Sequence, residues 1–216
     1  MNEQKKINLM LIALFVLLAV AILIVVLDPT KKSNQYDYNG FVVSKFRFQS
    51  APDIIFHGID LYVGSQKYNI PIRTNPVELE SIPVSGIEDV SWLKEIKESD
   101  NYDVVARDVY LTFNPNMSGG DLIIAGGEII RVLGTGAGGV YKKNVAGAFT
   151  SKLDGSSTPV KTCSDANKVT GIIILELGSN NKVYAKDDCV VIQGKSYPDL
   201  IRSSDRFLLA LLGVIK

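Results

Sequence analysis

Residues 171–212 read GIIILELGSNNKVYAKDDCVVIQGKSYPDLIRSSDRFLLALL, and their punctuation decides the fold class. GIIILEL is a short, continuously apolar run rich in branched side chains, the pattern of a buried strand. GSNN is a turn. KVYAK and CVVIQ are two further strand-like runs, and Gly194 ends them. Ser196-x-x-Asp199 is a capping box with Pro198 in the first turn, so a helix begins there and runs to Leu212, with Gly213 just past its end. Leu200, Ile201, Phe207, Leu208, Leu211 and Leu212 form its apolar stripe, while Arg202, Asp205 and Arg206 are read as facing water. Ser203 and Ser204 are read as small residues that let the helix sit close to the sheet. The predicted unit is β-β-β-α, spanning residues 161–216, and it makes the chain α+β.

Upstream, residues 40–160 read as a β-rich body. FVVSKFRF (41–48) is β-branched and aromatic. IDLYV (59–63) and QKYNIPIR (66–73) alternate apolar and polar residues across Gly64-Ser65, which predicts a hairpin. Pro71 cannot donate to a ladder, so the second of these strands is placed at a sheet edge. Asn75-Pro76-Val77-Glu78 starts a short helix. Ile87, Val90, Leu93 and Ile96 recur at helical spacing, with Trp92 beside them. Residues 103–113 return to strand. LIIAGGEIIRVL (122–133) is read as one bulged strand or two strands, with Gly126-Gly127 at the irregularity. The expected arrangement is a mainly antiparallel sheet or sandwich.

At the other end, residues 9–27 form an unbroken apolar run, LMLIALFVLLAVAILIVVL. A helix of that length would span about 28 Å, close to the hydrocarbon thickness of a bilayer. It exceeds the apolar core of a signal peptide, lacks a small-x-small cleavage site, and ends at Pro29. The expectation is a retained single-pass transmembrane helix over 9–27, preceded by a short tail (1–8) and followed by a polar linker (28–39). Lys5 and Lys6 against Lys31 and Lys32 leave the charge rule almost tied. Cys163, Cys189 and the sequon Asn116-Met117-Ser118 all lie in the large domain, and they favour placing that domain outside the cytoplasm. A pilin-like filament subunit shares the basic leader, apolar helix and β-rich head. This chain, however, has Lys6-Ile7-Asn8 where such subunits carry a small residue, and no Glu in the run.

The whole chain has 216 residues, with 23 Lys+Arg, 23 Asp+Glu and one His. Beyond residue 27 there are 189 residues, 21 basic and 22 acidic, because only Lys5, Lys6 and Glu3 are removed. That balance excludes a nucleic-acid binder, and the apolar content excludes disorder.

YNIPIRTNPVELESIPV (68–84), LIIAGGEIIRVLGT (122–135), the Cys163-x25-Cys189 pair and CVVIQGKSYPDLIRSSDRFLLALLG (189–213) resemble a group of single-pass membrane proteins encoded in small archaeal genomes. That resemblance implies an archaeal cell-surface setting and no assigned activity.

Several constellations are weighed against plainer readings. Two Cys in a secreted-type domain predict one structural disulfide, Cys163–Cys189; the alternatives are free thiols or a redox pair, the latter disfavoured because no C-x-x-C is present. Gly134-Thr135-Gly136-Ala137-Gly138-Gly139 matches a dinucleotide-binding fingerprint. No amphipathic helix follows it, so it is read as a flexible loop, with Gly134, Gly136, Gly138 and Gly139 as a candidate partner contact. Single His57 cannot build a metal site. Asp187-Asp188 with Glu176 could hold Ca²⁺ only if a turn aimed them together. Tyr36 and Tyr38 are candidate interfacial anchors.

No catalytic constellation emerges. The expected protein is therefore not an enzyme and carries no cofactor or metal. It is expected to be a membrane-anchored extracytoplasmic structural or adaptor protein of the cell envelope, touching the lipid bilayer through 9–27 and binding other membrane or surface proteins. The alternatives are a ligand- or substrate-binding ectodomain serving a membrane partner and, behind it, the pilin-like filament.

Overall fold

The computed structural model describes residues 12–20, 34–98, 108–136 and 138–215, and divides the chain into Met1–Tyr36 and Asp37–Lys216. In the first unit residues 12–20 are helical. Among the described residues no helix is long and apolar enough to cross a membrane. This corrects the expected transmembrane helix over 9–27, which no described helix provides. The rest of the 9–27 run lies outside the described residues.

The second unit carries two sheets. Strands β1 (Gln35–Tyr38, which begins before the division), β2 (Phe41–Phe48), β3 (Ala51–Val63) and β4 (Gln66–Ile72) form one sheet in that order, with β2–β3 and β3–β4 antiparallel. The Gly64-Ser65 hairpin is present, with Gly64 at φ 59°, and β4 with Pro71 is the edge strand. Val43, Ile59 and Ile70 sit opposite one another across three strands and are fully buried. The opposite face carries Asp60 with Lys67 at 2.8 Å and Asn69 at 2.7 Å.

The larger sheet holds β5 (Val84–Ser85), β6 (Asp108–Phe113), β7 (Asn144–Phe149), β8 (Thr170–Leu177), β9 (Lys182–Lys186) and β10 (Cys189–Gly194), in the order β5-β9-β10-β8-β6-β7. Within it β9–β10 is antiparallel and the other neighbours run parallel. The expectation of a mainly antiparallel domain therefore fails for this sheet. The residues after β8 do not make a hairpin. They cross the end of β10, where Gly178 N–H donates to the Gly194 carbonyl at 2.9 Å, and β9 lands on the far side. The last three strands share their sheet with β6 and β7 through the β8–β6 ladder.

Among the described residues of this unit there are four α-helices: α1 (Pro76–Leu79), α2 (Ser91–Glu98), α3 (Gly120–Leu133) and α4 (Tyr197–Leu211). Asn75 caps α1 by accepting from Val77 N–H, and Ser196 caps α4 by accepting from Asp199 N–H. The helical spacing around Trp92 resolves into a single turn of 3₁₀ helix, Ile87–Asp89, followed by α2. Helix α3 replaces the strands expected over 122–133. Its Gly126 lies against β6, where a Cβ would come 2.8 Å from Leu111 Cδ2, so the glycine marks close helix–sheet packing rather than a bulge. Helices α3 and α4 pack on each other, and α4 packs on β10.

Trp92 is fully buried and donates from Nε1 to the Asp188 carbonyl at 3.1 Å. A Cβ on Gly171 would lie 2.8 Å from Trp92 Cε3. Gly171→Ala is therefore expected to cost about 2 kcal/mol through overpacking. Gly147→Ala on edge strand β7, where nothing lies within 4 Å, should be nearly neutral. Urea midpoints of the two variants check this; equal midpoints would contradict the packing at Trp92.

Candidate interaction surface

Cys163 and Cys189 form a disulfide, with Cα atoms 5.3 Å apart. Cys163 opens a 3₁₀ turn whose capping box is Thr162 with Asp165. The Thr162 N–H donates to Asp165 and, with Lys161 nearby, holds that carboxyl below the usual range. Cys189 begins β10 and is fully buried against Ile172 and Val191, with Tyr110 and Tyr184 at the margin of that cluster. On the same sheet Glu176 accepts from Tyr184 Oη (3.1 Å) and Gln193 Nε2 (2.7 Å). Asp188 instead accepts from both N–H and Oγ of Ser91. Asp187 sits in the β9–β10 turn at φ 54°. Two of the three carboxylates considered for Ca²⁺ are thus committed to separate partners, and no metal-binding cluster of His, Cys, Asp or Glu is found among the described residues.

The glycine-rich segment folds back on the end of α3. Gly139 N–H donates to the Gly136 carbonyl at 2.9 Å, Val140 N–H to the Val132 carbonyl at 2.8 Å, and Gly138 lies against Arg131. Gly134 bridges Lys143, and the chain then enters β7. No helix starts there to receive a phosphate, as the dinucleotide fingerprint would require. Asn116 is exposed in the turn between β6 and α3, where its N–H donates to Asn114 Oδ1.

A layer of buried charge is absent from the sequence reading. Asp205 and Arg206, expected to face water, are 0% and 4% exposed. Helix α4 is covered on one side by β10 and on the other by the β4–α1 connection. Thr74 N–H donates to Asp205 Oδ2 at 3.0 Å, while Asp205 Oδ1 has no partner. Burial, with Glu128 nearby, pushes Asp205 up to about 7. Glu128 itself is buried between Arg73 (3.1 Å) and Arg131. Arg206 donates to the Ile82 carbonyl at 3.1 Å. Tyr38 donates to Glu80 at 2.7 Å, and burial pushes its phenol up to about 12, with Glu80 adding to the shift. A signal was present: α4 carries Leu200, Phe207, Leu208, Leu209 and Leu211, too wide a stripe for a helix with a wet face.

An exposed apolar cluster of the second unit lies where β2 and β3 outrun their neighbours. Strand β4 pairs with β3 only from His57 onward. Beyond that point the β2–β3 register jumps: Phe46 faces Phe56, but Phe48 faces Ala51. Residues 52–55 of β3 therefore stand against Arg47 alone. This extended bulge leaves Ile54 and Ile55 at 36% and 42% exposure, beside Phe48 at 42%. It is backed by packed aromatics: Phe46–Phe48 and Phe48–Phe56 meet edge to face with centroids 5.1 and 4.8 Å apart, and Phe46–Phe56 stack at 6.0 Å. The Arg73 guanidinium lies 5.0 Å from the Phe56 centroid. His57 is buried beneath, and that burial lowers its pKa, with Lys45 adding to the effect.

No family model, curated protein or solved structure matches this chain.

Proposed function

We propose that this is an extracytoplasmic adaptor domain, not an enzyme, which docks another envelope protein through Phe48, Ile54 and Ile55 at the end of the β2–β3 hairpin. The observation that carries the reading is an apolar tip backed by the edge-to-face pair Phe48–Phe56 and left open to solvent. Exposed apolar clusters on a rigid, projecting element mark protein contacts. The occupant is a different chain with an apolar recess. Two of the described cavities mix apolar and polar walls, Val214 and Ile215 with Asn39 and Glu80 in one and Met117, Ile174, Leu175 and Leu177 with Asn114, Asn116 and Thr150 in another, so docking on a second copy is the outcome that would overturn this choice of occupant. The disulfide supports an oxidising compartment outside the cytoplasm. The ionisable groups displaced furthest, Asp205 and Tyr38, are engaged in fold-internal bonds, which supports binding over catalysis.

The test is the double variant Ile54→Asp, Ile55→Asp in the full chain. Both positions are exposed, so the thermal midpoint should stay within the range of ordinary surface changes, about 0.5 kcal/mol. Co-purification of a defined envelope protein with the native chain should fall by at least about tenfold, because two buried charges at an interface core cost more than about 1.4 kcal/mol. Undiminished co-purification by the folded variant would remove the hairpin tip as the docking surface.

A further inference from the structure

The order of the parallel strands gives the larger sheet a feature that the adaptor reading does not use. Strands β7, β6, β8 and β10 lie side by side and parallel, in that order. The chain leaves β6 for β7 through α3, which packs Gly126 against Leu111. It returns from β7 to β8 on the other face: Cys163 of that connection is bonded to Cys189, which packs on Ile172 with Tyr110 alongside. Tyr110 and Leu111 are successive residues of β6, so their side chains lie on opposite faces. From β6 the chain thus turns towards β7, while from β8 it turns the opposite way, towards β9 and β10. Connections that diverge from two adjacent parallel strands leave a crevice between them at the carboxyl ends, and in open α/β sheets that crevice is where ligands bind.

A cavity of about 510 Å³ lies at that place. Asn114, Asn116 and Met117 follow β6, Thr150 follows β7, and residues 174–177 are the end of β8. The β6–β8 ladder stops with Phe113 opposite Leu175, whereas β8 runs on to Leu177 beside Gly194 of β10. Side chains of four consecutive strand residues alternate between faces, so these four wall one cavity through the strand edge that β6 has left. The facing wall is fixed in place. Met117 N–H donates to the Asn114 carbonyl at 2.8 Å, Asn116 N–H to Asn114 Oδ1 at 2.9 Å, Ser118 N–H to Tyr197 Oη at 3.3 Å and Thr150 N–H to the Phe113 carbonyl at 3.0 Å. None of the described residues that line the cavity is basic. The one acidic residue, Glu176, has its Oε1 engaged by Tyr184 and Gln193, which stand on the β10 side of β8, away from β6. A phosphate or carboxylate would find no counter-charge here. The walls offer neutral groups instead: two side-chain amides, a hydroxyl and a strand edge, all able to donate or accept, beside the apolar Met117 and Leu177. Ring hydroxyls next to an apolar C–H face match that set, and the volume lies in the range of small-ligand sites.

We infer that this crevice binds an uncharged saccharide unit. The isotope-labelled full chain is titrated with glucose, N-acetylglucosamine and maltose, and in parallel with pyrophosphate, while the backbone amide shifts are followed. At least one sugar is expected to bind saturably, with shifts centred on residues 114–118, 150 and 174–177, and pyrophosphate is expected to leave those amides in place. Asn116→Ala with Thr150→Val should weaken sugar binding at least about tenfold, through the loss of two hydrogen-bonding side chains. The backbone bonds of both positions survive these changes, so the thermal midpoint of the unliganded protein should not move. Saturable binding by none of the sugars, shifts centred elsewhere, preference for pyrophosphate, or equal binding by the folded double variant overturns the inference.

Discussion

Reducing the Cys163–Cys189 bond should lower the unfolding free energy by about 3.5 kcal/mol in the chain-entropy picture. The bond closes a loop of sequence separation 26. That loop contains β8, the crossing turn and β9, and it is pinned at the 3₁₀ turn on one side and at the first residue of β10 on the other. Opening it frees the unfolded chain and loosens three strands of the six-stranded sheet at their shared end. Cys189 is fully buried, so reductant alone should act slowly and only through local opening. The double variant Cys163→Ala, Cys189→Ala gives the equilibrium value without that kinetic barrier. Its urea midpoint should fall well below that of the native chain, with amide exchange rising first in β8 and β10. A loss under about 1 kcal/mol would mean the sheet is held at that end without the cross-link.

The second large effect is a stability that falls as pH rises through neutrality, with its source in Asp205. The native carboxyl sits at about 7 against an ordinary value of 3.8, so the folded state binds the proton more tightly than the unfolded state. The stabilisation from protonated Asp205 is whole below about pH 4, declines as pH rises, and is gone above about pH 7. The charges and donors acting on this group are Glu128, which raises it, and the bonds from Thr74 and Arg73, which lower it. An asparagine side chain at this position would mimic the protonated form, still accepting from Thr74 N–H. Asp205→Asn should match the native chain in stability near about pH 4 and exceed it near about pH 8, the difference growing by on the order of 4 kcal/mol. Taking that difference removes the other carboxylates, such as Asp165, whose lowered pKa works in the opposite direction at acid pH. A difference that stays constant across that range would mean that Asp205 is ionised throughout and compensated by groups other than those named.

Both effects bear on what could be read from the sequence. Features set within a few residues were legible: the Ser196–Asp199 cap of α4, the Gly64 hairpin, Pro71 on an edge, and the Asn75 cap. Features set across the chain were not. The order β9-β10-β8-β6 depends on which apolar runs pair, and a buried run such as GIIILEL suits a parallel centre as well as a meander. LIIAGGEIIRVL reads as strand because its apolar residues and paired glycines carry no clear period. Contact of Gly126 with Leu111 on β6 favours a helix there instead. Asp205 reads as a water-facing residue because its burial depends on Thr74, 131 residues away.

The candidate surface was half legible. FVVSKFRF reads as a strand with aromatics, and it is one. Nothing in APDIIF announces that residues 52–55 bulge and turn two isoleucines outward, because the register is set by β2 and by where β4 stops.

The measurement that tests the adaptor reading most directly is site-specific photo-crosslinking of the full chain in its native envelope, with the probe placed at Ile55 and, as control, at Ile123 of α3. Both side chains are exposed, at 42% and 76%, but only Ile55 belongs to the aromatic-backed tip. The expected result is one adduct of defined mass with a different protein from position 55, none from position 123, and loss of that adduct when Phe48→Asp is added. Adducts between copies of this chain alone, or equal adducts from both positions, would contradict it.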